Sequence, residues 1–255
     1  MTQNLLVVDW DYFFPTQEPW GKQWELWDWG HSEGSSIYFG PIWGIRAAEF
    51  DRAGVPRPML NKEWIDWWER FNISEDAVLY YADSNVQAFN QEVRESVGRD
   101  PQVWLYDAHH DSGYGENRDI KQIIRDNKVT CEDWMVGYRL NHQAELHVRY
   151  PTWKTWAMDK EPEPLVPVDR AVDNGLPNDV RFDTVFVCRS GAWVPPWCDH
   201  DFMDFITDAP VGELYELSDC QPRDWNEDDV KRLVVATDEL QRRVEATRQR
   251  PQEPS

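Results

Sequence analysis

Val103–Asn117 reads VWLYDAHHDSGYGEN. An apolar run ends in two carboxylates and two imidazoles, and glycines follow. Alternate residues of an extended chain share a face, so Asp107 and His109 open onto one cavity. In a fully extended chain Asp111 would lie about 13 Å beyond Asp107, too far for one shared ion. Either the chain turns after His109, where Ser112, Gly113 and Gly115 favour a turn, or two cations share the run. Mixed carboxylate and imidazole ligands suit Mn²⁺, Fe²⁺ or Zn²⁺. His110 faces the other way and is expected to support or pack, with proton transfer as its catalytic alternative. A single Asp-x-His is more often a loop-capping pair than a ligand set; the density of donors at one strand end favours a metal site.

Outward from this stretch, short apolar runs recur. Asn4–Phe14 (NLLVVDWDYFF) opens with a run suited to a strand buried on both faces, as in a parallel sheet. Ala77–Ala82, Gln102–Tyr106, Glu145–Tyr150, Thr184–Cys188 and Gly212–Leu217 read as further strands. Between them, Ile42–Ala53, Asn61–Phe71, Val86–Val97, Ile120–Asp126 and Glu132–Asn141 read as helices, and Glu161–Pro177 as a long excursion. Asn226 caps a last helix with acids in its first turn and Val230, Leu233, Val234, Leu240 and Val244 on one face. Strands alternating with helices define an α/β fold with a mostly parallel central sheet. One domain over residues 1–250 is expected, with 251–255 as a disordered tail.

In such sheets ligands bind beyond the carboxyl ends of the strands. Polar residues follow the apolar runs there: Asp9 and Asp11, Asp83 and Ser84, Asp107 to Asp111, and Arg189 with Ser190. Asp9 and Asp11 are expected either to complete the metal site or to act as base; a buried strand-end carboxylate bonded to backbone N–H groups is the plain alternative. Cys188 borders the same crevice. Arg189 and Ser190 are candidates for substrate binding, Arg189 through a bidentate grip on a carboxylate or phosphate, although a structural ion pair is slightly favoured. His200, between Asp199 and Asp201, is as consistent with a solvated turn as with a ligand set.

Asp107-Ala-His109-His110-Asp111 resembles the D-A-H-x-D signature of the arginase/deacetylase superfamily of metal hydrolases. The resemblance implies a three-layer α/β/α sandwich, with Asp107, His109 and Asp111 as metal ligands. It covers these five residues and, beyond them, only the order of elements. The later acidic motif of ureohydrolases is missing, with Cys188 and Ser190 standing where acids belong. The resemblance implies a metal-dependent hydrolase of a C–N bond, amide or guanidine, using Mn²⁺ first and Zn²⁺ or Fe²⁺ next, on a small-molecule or peptide-like substrate. Asp9-Trp10-Asp11 after an apolar run also resembles the first motif of haloacid-dehalogenase-type, Mg²⁺-dependent phosphatases. There Asp9 would attack phosphate and Asp11 serve as acid and base. That reading leaves Asp107–Asp111 unused and has Tyr12 where Thr or Val is usual. A third reading is a non-catalytic acidic binding protein on the same fold.

Composition limits the partners. The 255-residue chain carries 47 acidic and 26 basic residues, a net charge of −21, which disfavours nucleic acid and anionic membranes. The acids are scattered, as on a solvated surface. Four cysteines without a CxxC pair are expected to be reduced thiols. Neither a signal peptide nor a membrane-length apolar run is evident, so a cytoplasmic location is expected. Sixteen tryptophans, many in the first 70 residues, are expected in the core, with Trp20–Trp43 either core or a lid.

Overall fold

The computed structural model describes residues 4–15, 22–27, 39–115, 119–154, 161–175 and 180–248. Seven strands form one parallel sheet: β1 (Asn4–Asp9), β2 (Asn72–Ala82), β3 (Gln102–Tyr106), β4 (Glu145–Tyr150), β5 (Asp169–Val172), β6 (Arg181–Cys188) and β7 (Glu213–Glu216). Their order is β5-β4-β3-β1-β6-β2-β7, and every pairing is parallel. The helices are α1 (Lys22–Trp27), α2 (Phe39–Ala53), α3 (Gln91–Val97), α4 (Ile120–Asp126), α5 (Trp134–His142), α6 (Asp199–Thr207) and α7 (Glu227–Arg248).

The pleat sorts the apolar runs onto two faces. Leu6, Val8, Trp104, Tyr106, Val185 and Val187 meet an aromatic layer that includes Trp43 and Phe50 of α2 and Phe202 and Phe205 of α6. Leu5, Val7, Val103, Leu105 and Phe186 meet the opposite layer, with Val93 of α3, Ile123 of α4 and Tyr138 of α5. Both faces are therefore covered, which is why the central strands read as unbroken apolar runs rather than alternating ones. The α/β sandwich with a parallel sheet follows. α7 lies outside, on α2, through Val230 against Ala47 and Ala48.

β3, α4 and β4 occupy the spans expected from sequence. Other elements differ. Asn61–Phe71 is not an α-helix: turns lead into a single 3₁₀ turn at Trp67–Arg70. Trp67 and Trp68 both enter the core, and Trp68 Nε1 donates to Phe205 O at 2.8 Å, so these adjacent side chains are fixed by tertiary packing instead of a helical face. Val86–Val97 is divided into a 3₁₀ turn, Asn85–Phe89, and α3, whose cap is the Asn90 carboxamide accepting from Val93 N at 3.2 Å. The Glu161–Pro177 excursion contains β5, a four-residue strand recruited by β4 and tied to it by Arg149 Nη2 donating to Asp169 Oδ2 at 2.8 Å. On α7 the expected apolar face is only partly used: Val230 is buried, whereas Leu233 and Leu240 are exposed. Most of Trp20–Trp43, and the tail 251–255, lie outside the described residues; Trp27 and Trp43 are core residues. The four cysteines are free thiols. No helix among the described residues is long and apolar enough to cross a membrane.

Candidate metal centre

Strand register builds the site. Val8 is level with Tyr106 of β3 and with Val187 of β6, and Ala82 of β2 is level with Cys188. The residues that leave these four strands, Asp9, Asn85, Asp107 and Ser190, therefore reach the same height, at the centre of the sheet. Asp9, Asp11, Asp107, Asp111, Asn85 and Ser190 are all buried. A cavity of about 340 Å³ is lined by all of these except Asp107, which lies beneath them, and by His109; it is walled by Tyr114 and Trp193 and reaches Cys131 and Glu132.

Two groups of donors share this floor. One ligand atom each from Asp11, Asp107 and His109 lies within 4.8 Å of the others, a spacing that can hold a cation. His109 Nδ1 is 3.3 Å from Asp11 Oδ2 and 3.4 Å from Asp107 Oδ1. In the second group, the Asn85 side-chain nitrogen meets Asp9 Oδ2 at 2.6 Å, Asp111 Oδ2 at 2.9 Å and Asp107 Oδ2 at 3.4 Å. An amide nitrogen has two hydrogens, so three carboxylate oxygens on it exceed what it can satisfy. Asn85 Oδ1 is buried and has no donor among the described residues. Crowded carboxylates and a spare amide oxygen are the donor chemistry that a hard or borderline divalent cation satisfies. The residues present thus fit a metal, and Asp107 is common to both groups.

The backbone supplies the convergence. After His109 the chain turns: Asp111 has φ +43° and Gly113 φ +81°. This swings Asp111 back under Asn85, where Trp134 Nε1 also donates to Asp111 Oδ2 at 2.8 Å. Ser190, with φ +51°, makes the matching turn after β6 and donates from Oγ to Asp9 Oδ2 at 2.6 Å. Left-handed backbone at a non-glycine residue costs on the order of 1–2 kcal/mol, and both instances carry a side chain of the cavity floor.

Electrostatics follow from crowding. Burial, then the neighbouring Asp11 and Asp107 carboxylates, hold Asp9 well above the ordinary carboxylate range. Burial, then Asp11 and Asp111, do the same to Asp107. Burial also opposes ionisation of Asp11, but the hydrogen bond and charge of His109, with Lys154 and the Ala108 N–H, together outweigh burial and hold it low. Burial and Lys154 disfavour the charged His109 ring, yet Asp11 and Glu161 among its acidic neighbours together outweigh them and raise it.

Other residues singled out from sequence sit elsewhere. The His110 ring is turned from the cavity: Nδ1 accepts from Ser112 N at 3.0 Å and Nε2 meets Pro162 O at 2.9 Å. Arg189 is an internal ion pair, its Nε 2.7 Å from Asp83 Oδ1, with further bonds to the carbonyls of Cys220 and Gln221. Ser84 accepts from Val86 N, capping the turn that delivers Asn85. Asp199 is bound by Arg223 and begins α6, so the Asp199–Asp201 cluster does not join the cavity. Sequence reasoning passed over Asn85, Tyr114, Trp193 and Glu161. Asn85 carried a usable signal, being three residues beyond a strand end. Glu161 accepts from Tyr114 OH at 2.8 Å and from His110 N at 3.1 Å, and braces the ligand loop from behind.

No family model, no curated protein and no solved structure matches the chain. Fold and donor geometry therefore carry the functional argument.

Proposed function

We propose that the protein is a divalent-metal-dependent hydrolase of a C–N bond, amide or guanidine, of the arginase/deacetylase kind. The observation that carries this reading is the convergence of Asp11, Asp107 and His109 within 4.8 Å at the floor of a cavity. Asp107, His109 and Asp11 would hold one cation, and Asp9, Asp111 and Asp107, with Asn85, a second. Mn²⁺ suits this oxygen-rich set best, with Zn²⁺ or Fe²⁺ next. A bound cation would supply a water of near-neutral pKa and polarise the substrate so that its carbon is open to attack.

The chain's own groups do the rest. Ser190 and Asn85 orient Asp9, which either completes the second cation site or, where it is left unligated, is the group placed to take and return a proton. Trp193, whose ring lies 5.5 Å from the His109 ring, and Tyr114 narrow the cavity and exclude bulk water. Glu132, at the wall, gives an amino or guanidino substituent a counter-charge.

Metal analysis of protein purified without chelator, followed by calorimetric titration with Mn²⁺ and Zn²⁺, tests the reading. Stoichiometric metal that disappears in Asp107→Ala and His109→Ala, with amide or guanidine hydrolysis lost in step, is expected. A folded protein that binds no divalent metal overturns it in favour of an acidic binding protein. Mg²⁺-dependent phosphate release abolished by Asp9→Asn overturns it in favour of the phosphatase chemistry.

A further inference from the structure

Helix α7 carries a stripe that neither the sheet nor the cavity uses. Asp229, Leu233, Ala236, Leu240 and Arg243 recur at alternating intervals of four and three residues, so they share one side of the helix. All five are exposed, Leu233 to 38% and Leu240 to 62%. The adjoining side is the one that folding uses: Val230 and Val234 pack on α2, and Asp238 and Gln241 bind Arg52 of α2. The stripe borders that side: Leu233 Cδ1 lies beside Gly44 of α2, while more than a third of Leu233 and most of Leu240 stay exposed.

Its order is acid, leucine, alanine, leucine, base. Turned end for end, the same order is its own complement. We propose that α7 pairs antiparallel with α7 of a second copy of this chain, about a two-fold axis passing beside Ala236. Leu233 then lies against Leu240 of the second copy, and Asp229 against its Arg243, and each contact occurs twice, as a two-fold interface requires. Ala236 sits at the axis, where a small side chain lets two helices approach closely. The stripe spans about 21 Å of helix.

Charge decides who the occupant is. A chain of net charge −21 repels copies of itself in general, but this stripe holds one acid and one base and is neutral. A foreign basic helix would be met by Asp229 and refused by Arg243, and a foreign acidic helix the reverse. The intrahelical pairs Asp229–Arg232 and Arg243–Glu239 are exposed and worth little, so exchanging them across the interface costs little. A single helix pair buries less than a standard interface, so the dimer is concentration-dependent, roughly micromolar or weaker.

Sedimentation velocity of the full chain over rising concentration tests this. A monomer–dimer equilibrium is expected, with Leu240→Glu monomeric throughout and unchanged in far-ultraviolet circular dichroism. Asp229→Arg and Arg243→Asp, each alone, should weaken association about tenfold, since like charges then meet at both ends. An equimolar mixture of those two variants should recover the dimer, because every cross-pair is again opposite in sign. A wild-type monomer at all concentrations, a dimer that survives Leu240→Glu, or a mixture no better than its components overturns the proposal.

Discussion

Two buried acidic clusters stand back to back behind the same strand ends. In one, Asp83 and Asp199 are matched by Arg189 and Arg223: Arg189 Nε reaches Asp83 at 2.7 Å and Arg223 Nη2 reaches Asp199 at 2.6 Å. The arginines also bond the carbonyls of Gly191, Val194, Cys220 and Gln221, so this cluster ties the loops together and is internally balanced. In the other, Asp9, Asp11, Asp107 and Asp111 crowd around one amide and one imidazole. The clusters meet in sequence at Asp83 and Asn85, and again at Arg189 and Ser190. One is closed by guanidinium groups at fixed positions. The other has no arginine within it among the described residues, and two of its acids, Asp9 and Asp107, are pushed toward protonation by burial and by neighbouring carboxylates, which is the environment the proposed cation would relieve.

The largest expected effect is in the closed cluster. Asp199→Ala removes a buried carboxylate that Arg223 grips through Nε and Nη2 and that lies 3.5 Å from Arg189 Nη1, and should cost about 3–5 kcal/mol in urea unfolding. Added Mn²⁺ should not recover it. The open cluster should behave in the opposite way. Saturating Mn²⁺ or Zn²⁺, at about a hundredfold over the dissociation constant, should stabilise the wild type by about 2.7 kcal/mol, a rise in melting temperature of roughly 5–10 °C. Asp107→Asn should abolish that rise while leaving the metal-free protein at least as stable as wild type, because it relieves like-charge crowding.

Asn85→Asp sharpens the contrast further. A fifth carboxylate in the open cluster should lower metal-free stability by about 1–2 kcal/mol and enlarge the metal-induced rise, both readable by thermal melts with and without chelator. The smallest effect concerns Glu161, the brace behind the ligand loop. Burial works against its charge, but Lys154, the two imidazoles and the Tyr150 hydroxyl outweigh burial and lower its pKa below the usual 4.5. A lowered folded-state pKa contributes stability that is complete above about 4.5 and is lost as pH falls through the folded value. Glu161→Gln should cost about 1 kcal/mol at neutral pH and flatten the acid limb of a stability–pH profile.

The fold was legible where burial alone decides structure. The runs at Gln102–Tyr106 and Glu145–Tyr150 are apolar because both faces of the sheet are covered, and their spans could be read directly. β5 was not legible: Asp169-Arg170-Ala171-Val172 has no strand pattern and owes its conformation to β4 and to Arg149. The Trp67–Arg70 region looked helical because tryptophans at close spacing mimic an apolar face, while contacts distant in sequence fix them. At the site, strand ends pointed to Asp9, Asp11, Asp107, His109, Asp111 and Ser190, which the structure brings to one place. Strand ends could not say that Arg189 turns inward to Asp83 or that the His110 ring faces Pro162, since both depend on partners far along the chain.

The position of β6 has a consequence for how the chain acquires this site. β6 is inserted between β1 and β2, and Ser190 reaches Asp9 across 181 residues of sequence. A growing polypeptide has made β1 through β5 before β6 exists, so the slot between β1 and β2 must stay open until it arrives. Closure of that slot is a long-range, entropically expensive event, which places it late and makes it slow. The acidic cluster at these strand ends is therefore among the last parts of the protein to mature, and the proposed cation, present during refolding, would act on the final step rather than on the first.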